Sequence, residues 1–313
     1  MIRQIWRYFM LWVAGNKTIE RWVKRRGMKP GGFAQQFLAG ETIDEAMLEI
    51  KRLNDMGIGT TTTILGESVT DSAGSYKARD INLELLDKIH ASGASKYESG
   101  VSVKLTQLGL DISKDLCMEN MQTIMQRAKE HNIYIRIDME MASVVQVTLD
   151  IWEELYRNMS EDIGVVIQAY LFRSEEDIRY VSNLGGRIRL VKGAYYEAKD
   201  VAFQKKSEVD ANYVHLTDLL MEIGIHPGIA THDPEMIEAT KELANKHNVD
   251  KDSFEFQQNY GIRTYYHEQR LKEGYKLRST IPFGKEWFPY YTRRLAERPA
   301  NAGMVLKSVL RFK

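Results

Sequence analysis

The chain is predicted to form a single α/β domain, a (βα)8 TIM-type barrel, and three observations predict it. From residue 41 short β-type runs alternate with helical stretches whose apolar residues fall three and four apart. Eight such runs follow one another without a long linker, the pattern of parallel strands joined by right-handed crossovers. Nearly every run ends in a chemically useful side chain, as expected where all strands point their C-terminal ends at one catalytic face. With 313 residues, 43% of them hydrophobic, the chain is large enough for one barrel or two smaller domains; the unbroken alternation favours the barrel. Residues 1–40 read as an N-terminal helical arm and 41–313 as the barrel, with a C-terminal helix over its mouth.

Helical periodicity covers 42–55, 78–92, 115–130, 144–158, 174–184, 206–223 and 234–246. The strand runs lie at 59–65, 101–105, 133–139, 165–170, 188–191, 228–231, 254–257 and 277–282. Their ends carry Glu67 after the first, Lys104 in the second, and Asp138 and Glu140 after the third. Gln168 closes the fourth, Arg189, Lys192 and Tyr195 accompany the fifth, Thr231 and His232 the sixth, and Glu255 and Gln257 the seventh.

Composition narrows the function. The 43 basic and 43 acidic residues cancel, which with the lack of an arginine-aromatic tract argues against a nucleic-acid binder. Mean hydropathy of -0.39 and one cysteine, Cys117 in a helical pattern, fit a soluble protein of a reducing, cytoplasmic compartment. No glycine fingerprint of a Rossmann or P-loop site occurs, so any nucleotide cofactor has to lie across the barrel mouth. Residues 1–29 hold eight basic residues and one acid, Glu20. The apolar run 9–14 is too short to span a bilayer, which needs about 20 residues. On a helix Trp6, Phe9, Met10 and Val13 share one side, away from Arg3 and Arg7. That side either docks on the barrel or touches an anionic membrane surface from the inner face.

The chemistry concentrates in Arg189-Leu-Val-Lys-Gly-Ala-Tyr195, where an apolar strand opens into two cations and a tyrosine around a glycine. Asp138 and Glu140, two apart on a strand, face the same way. They suit a divalent metal less than they suit counter-charges for Lys104, Arg189 and Lys192. His232 has no second histidine at ligand spacing, so no metal site is expected. Lys104 and Lys192 are also able to form Schiff bases, which leaves a barrel aldolase or lyase open. A barrel that binds a flavin or another small ligand without catalysis is a further alternative. Over 287–297 Tyr290, Arg294 and Glu297 recur at helical spacing with Arg293 adjacent, a combination suited to a carboxylate and an amine, hence an amino acid.

These stretches, taken together, are similar to the proline dehydrogenases over residues 40–313. The matching motifs are Leu-Gly-Glu67, Val-Ser-Val-Lys104-Leu, Ile-Asp138-Met-Glu140, Val-Ile-Gln168-Ala-Tyr, the Arg189–Tyr195 stretch, Ala-Thr231-His232-Asp, Phe-Glu-Phe-Gln257 and Tyr290-Tyr-Thr-Arg293-Arg294-Leu-Ala-Glu297-Arg-Pro. The resemblance implies a monofunctional bacterial enzyme that uses FAD and passes electrons to a quinone-type acceptor. It assigns FAD to Met139, Gln168, Arg189, Lys192, Gly193, Ala194, Thr231 and His232. Lys104, Arg293 and Arg294 would hold the substrate carboxylate, Leu190, Tyr195 and Tyr290 would wall its ring, and Glu297 would lie near the amine. Glu67 would gate the site by pairing with Arg293, while Asp138 and Tyr195 stand closest to catalysis. Two positions depart from the family. Thr280 stands where a wall tyrosine is usual, and Asn259 where a leucine is usual. Asp138 thereby loses the partner that the tyrosine supplies. A larger, more polar pocket implies a hydroxylated or substituted proline as well as proline itself; in the related hydroxyproline dehydrogenases the same tyrosine is a small hydroxyl residue.

Overall fold

The computed structural model describes residues 2–28, 32–66, 68–95, 98–264 and 267–297. Eight parallel strands close on themselves in sequence order: β1 (Gly59–Ile64), β2 (Ser99–Val103), β3 (Tyr134–Ile137), β4 (Ile163–Gln168), β5 (Arg187–Val191), β6 (Gly228–Ala230), β7 (Glu255–Asn259) and β8 (Lys276–Phe283). β8 returns to pair with β1, Gly59 opposite Arg278 and Ile64 opposite Phe283, which removes both sheet edges. All eight expected strands are present.

Two N-terminal helices, α1 (Ile2–Gly15) and α2 (Lys17–Gly27), precede α3 (Ile43–Asp55). Around the barrel then come α4 (Ser72–Ala91), α5 (Lys114–His131), α6 (Val145–Asn158), α7 (Ser174–Asn183), α8 (Lys206–Ile223), α9 (Pro234–Lys246), α10 (His267–Lys272) and α11 (Trp287–Glu297). Local chemistry sets their ends. Thr42 and Glu45 form a capping box before α3, Asp71 and Ser113 cap α4 and α5, and Asp233 caps α9 with Pro234 behind it. The periodic pattern misses the first turn and a half of α4, where the Asp71 cap starts a helix through serine and glycine residues that carry no apolar spacing. It misses α10 as well, which is only 6 residues long.

The main core lies between sheet and helices, where Val101, Ile135, Val165, Leu190, Ile229 and Phe256 are fully buried. The strands' other faces meet inside the barrel, and that interior is polar. Arg136 on β3 donates across to Gln257 on β7 (2.7 Å), and Arg189 on β5 reaches Thr280 on β8 (3.2 Å). Branched aliphatic layers are the usual filling there.

A second apolar cluster sits over the mouth. Leu65, Ala34, Leu38, Trp287 and Phe288 are buried, with Val13, Ile19 and Val23 of the arm packed against them. Trp6 Nε1 donates to the Leu295 carbonyl of α11 (2.9 Å). The arm therefore docks on the barrel. The expected grouping of its apolar residues changes in one respect: Phe9 is 53% exposed and stacks on the exposed Trp12, with Tyr8 on α1 and Trp22 on α2 exposed as well. Trp6 is held on α11 and Met10 is half-buried, while Phe9, 100° round the helix from Met10, turns outward. No helix among the described residues is long and apolar enough to cross a membrane.

Candidate active site

A cavity of about 480 Å³ opens at the C-terminal ends of the strands, of the size that small-molecule sites have. Thr63, Lys104, Asp138, Arg189, His232 and Thr280 form its polar floor; Tyr260, Trp287, Phe288, Tyr290 and Tyr291 supply aromatic walls. Asn259 and Ala194 line it too. Of the expected residues the fold thus gathers Lys104, Asp138, Arg189, Ala194, His232, Asn259, Thr280 and Tyr290 on one surface.

The electrostatic centre is Lys104. It is 4% exposed, and its Nζ lies 3.2 Å from Thr63 Oγ1, 3.3 Å from Asp138 Oδ2 and 5.7 Å from the centre of the Tyr290 ring. Burial by itself lowers the Lys104 pKa, but the field of Asp138, followed by Tyr290 and Glu140, outweighs it and the net shift is upward. A lysine held cationic is a poor amine nucleophile, which argues against the Schiff-base alternative at this position. Lys192 is no better placed for it: its ammonium is clasped by Asp210 and Asp233 (3.0 Å to the latter).

Asp138 has not been left without a partner. Ser102, which alternation on β2 places beside Lys104, donates to its Oδ1 at 2.6 Å. Burial raises the Asp138 pKa, and Lys104, Arg136 and Arg189 together with the Ser102 bond more than reverse this, so the carboxylate is held below its ordinary range. Glu140 parts company with Asp138, since β3 ends at Ile137 and the alternation lapses. Its carboxylate accepts from the Thr106 N–H (3.0 Å) and hydroxyl (2.7 Å). As a counter-charge it acts on Lys104 through space only. No cluster of three metal-ligating side chains occurs among the described residues.

Arg189 and His232 keep hydrogen-bonding capacity unspent. Burial pushes the Arg189 pKa down; Nη2 donates to Thr280, Nη1 lies 3.9 Å from Asp138, and Nε has no hydrogen-bond partner. His232 Nε2 accepts from the Asn259 backbone N–H (3.0 Å), which places the ring proton on Nδ1, itself buried and without a partner. Burial, then Arg263 and Arg189, lowers the His232 pKa to about 3, so the ring is neutral. Gly193 completes the picture: its φ of 107° is left-handed, and a Cβ there would run into the Tyr170 ring. Two buried donors and a backbone stretch stripped to glycine at adjacent strand ends fit a polar, flat cofactor edge laid against β5 and β6.

Other expected residues stand elsewhere. Leu190 does not wall the cavity: strand alternation turns it outward into the core, fully buried. Met139 is likewise buried in that core, and Gln168 donates to the Glu140 carbonyl (2.8 Å) from beneath the mouth. Thr231 is buried, its hydroxyl accepting from the Asp233 N–H (3.0 Å). Tyr195 is half-buried in the β5–α8 connection and Arg293 half-buried on α11; neither lines the cavity. Glu67 lies outside the described residues, as do the side chains of Arg294 and Glu297. Sequence reasoning missed Ser102 and Arg136, which the two-residue repeat before Lys104 and Asp138 marks as inward-facing. It missed Val23 and Phe37 of the arm as cavity wall, for which no local signal exists.

Residues 46–307 match the sequence profile of the family described as proline dehydrogenase. A proline dehydrogenase 1 of Bacillus subtilis subsp. natto is 39% identical over 305 residues, covering 97% of this chain and 99% of its own. The proline dehydrogenase of Deinococcus radiodurans is 36% identical over 315 residues, covering 99% and 100%. Among solved structures, proline utilization A from Bdellovibrio bacteriovorus, inactivated by N-propargylglycine, superposes with a TM-score of 0.79 and 26% identity. That match covers 93% of this chain and 36% of the longer protein. A closed barrel whose mouth gathers the motif residues, matched nearly end to end by these relatives, places the chain in the proline dehydrogenase family.

Proposed function

We propose that the protein is an FAD-dependent dehydrogenase that oxidises proline, or a hydroxylated or substituted proline-like secondary amino acid, to its cyclic imine. The observation that carries this reading is the Lys104–Asp138–Arg189 cluster beneath Tyr290: buried positive charge, one aromatic wall, and N–H groups without partners. Arg189, Lys192, Gly193, Ala194, Thr231 and His232, with Met139 and Gln168 behind them, would hold FAD. When bound, FAD supplies a hydride acceptor at N5 for the carbon beside the ring nitrogen, and an outlet for the electrons to a quinone-type acceptor.

The chain's own residues position the substrate. Lys104, kept charged by Asp138, takes the carboxylate and Tyr290 walls the ring; Arg293 and Tyr195, which stand outside the cavity, would close onto the substrate with Arg294, and Glu297 would lie near the amine. Glu67 gates entry through Arg293. The Thr280 hydroxyl and the Asn259 amide at the cavity wall favour a substrate hydroxyl, because the tyrosine usual at the first position would fill that space and the leucine usual at the second offers no hydrogen bond. We infer further that the cytoplasmic protein meets the membrane peripherally through the exposed aromatic and basic face of α1 and α2.

The test is anaerobic titration of the yellow, purified protein with L-proline and with 4-hydroxyproline, following the visible absorbance. Bleaching by at least one of them is expected. No bleaching by either would sink the dehydrogenase reading and leave a non-catalytic flavin barrel. A strong preference for L-proline in kcat/KM would refute the altered pocket alone.

A further inference from the structure

A second cavity, about 290 Å³, opens at the opposite end of the barrel, where the strands begin. Tyr134, Arg136, Arg187, His226, Glu255 and Arg278 are among the residues that line it. Aliphatic side chains ordinarily fill this end. Here glycines on alternate strands make room for polar ones. A Cβ at Gly164 would overlap the Tyr134 hydroxyl, and one at Gly228 the Gln257 amide.

The charges of this floor do not balance. Five cationic side chains line the cavity (Arg136, Arg187, Arg189, Lys276 and Arg278) against three acidic ones (Glu98, Asp252 and Glu255). Glu98 and Asp252 are exposed on the rim, and the Glu98 carboxylate is turned back to the Ser95 N–H (2.8 Å). Glu255 accepts from Arg278 Nε and from Gln257 Nε2, both at 2.6 Å. Arg136, which is 2% exposed, donates through Nη1 to the neutral Gln257 amide (2.7 Å) but has no hydrogen-bond partner for Nε or Nη2. Its nearest carboxylate, Asp138, is 3.9 Å away and engaged by Ser102 and Lys104. Arg187 stacks over the Tyr134 ring at 5.6 Å and forms no ion pair among the described residues. Burial and Arg189 press the Arg136 pKa down to about 9, the mark of a guanidinium short of counter-charge, and His226 is lowered by burial, Arg187 and Lys276.

We infer that the floor of the barrel is a second binding site, for a small oxyanion (a carboxylate or a phosphate), seated against Arg187 and the Arg136–Arg278 wall. Guanidinium groups match both anions with paired N–H donors, and a cavity of this size suits a compact anion. The site lies at the other end of the barrel from the substrate cavity and shares only Arg189 with it.

The experiment titrates the purified flavin-loaded protein with inorganic phosphate and, separately, with acetate, at constant ionic strength, following the unfolding temperature and binding heat. A saturable rise in unfolding temperature is expected with at least one of them, since a ligand of the folded state alone stabilises it. A response to phosphate only identifies a phosphate site, and to acetate only a carboxylate site. In Arg187→Gln, at the half-buried rim, and in Arg136→Gln the dissociation constant is expected to rise about tenfold or more. Should Arg136→Gln fail to fold, Arg187→Gln decides. Absence of a saturable response to both anions, or an equal response in Arg187→Gln, overturns the inference.

Discussion

Thr280 illustrates how one side chain redistributes a site. Its hydroxyl accepts from Arg189 Nη2 at 3.2 Å, so the arginine is tied across the barrel to β8. An aromatic residue at this position would narrow the cavity and remove the small acceptor. Thr280→Tyr is therefore expected to raise the kcat/KM of L-proline relative to 4-hydroxyproline by about tenfold, equivalent to about 1.4 kcal/mol of differential transition-state binding. The ratio of the two specificity constants is the measurement, and an unchanged ratio counts against a role for Thr280 in specificity. Asp138 acts on the site in a different way. With Ser102 on one oxygen and Lys104 on the other, it orients a cation and contributes no proton of its own.

The elements matter most where the arm meets α11. Burying Trp287 and Phe288 beneath α1 and α2 gains about 1.5–3 kcal/mol for each ring and makes the arm part of the cavity wall. The arm's opposite face leaves Tyr8 74%, Trp12 60% and Trp22 59% exposed, with Arg26 stacked 4.1 Å over Trp22 and Arg7, Arg21 and Arg25 exposed nearby. Aromatic rings among basic groups suit a bilayer interface, where each cation near an anionic surface contributes about 1 kcal/mol. Co-sedimentation with anionic lipid vesicles is expected, weakening with salt and falling about tenfold in Trp12→Glu. Equal partitioning onto neutral vesicles would remove the electrostatic part of this idea.

At the scale of the whole molecule the buried histidines add to the acid sensitivity of the fold. His232 and His267 have pKa values lowered to about 3 and about 4, chiefly by burial, from an unfolded value near 6.5. A depressed folded-state pKa means that the unfolded chain binds the proton first. Their contribution is thus complete above about pH 6.5 and drains away as pH falls toward 4. The unfolding temperature is expected to drop across that window, and His267→Gln to flatten the drop; an unchanged slope in the variant argues against His267. The Lys104–Asp138 pair adds stability over a broader range. The depressed Asp138 pKa loses it in acid below the usual 3.8, and the raised Lys104 pKa loses it in base above the usual 10.5.

Much of this architecture is legible in the chain itself. The eight strands and most helices follow from apolar spacing, because this is a local preference that a linear pattern records. Family motifs at the strand ends likewise announce the mouth, since any parallel barrel brings those ends together. Cys117, expected in a helix, stands on α5, fully buried, its thiol pushed up to about 12 by desolvation. Tertiary structure decided the rest. Only closure of the barrel sets Ser102 against Asp138 and Thr280 against Arg189, and only alternation within β5 sends Leu190 into the core. Closure alone brings five cations and three acids around one floor cavity. Sequence by itself determined the elements and the chemistry at their ends. Which groups became partners, and which donors were left unspent, depended on distances across the barrel, and these exist only once residues far apart in the chain are packed together.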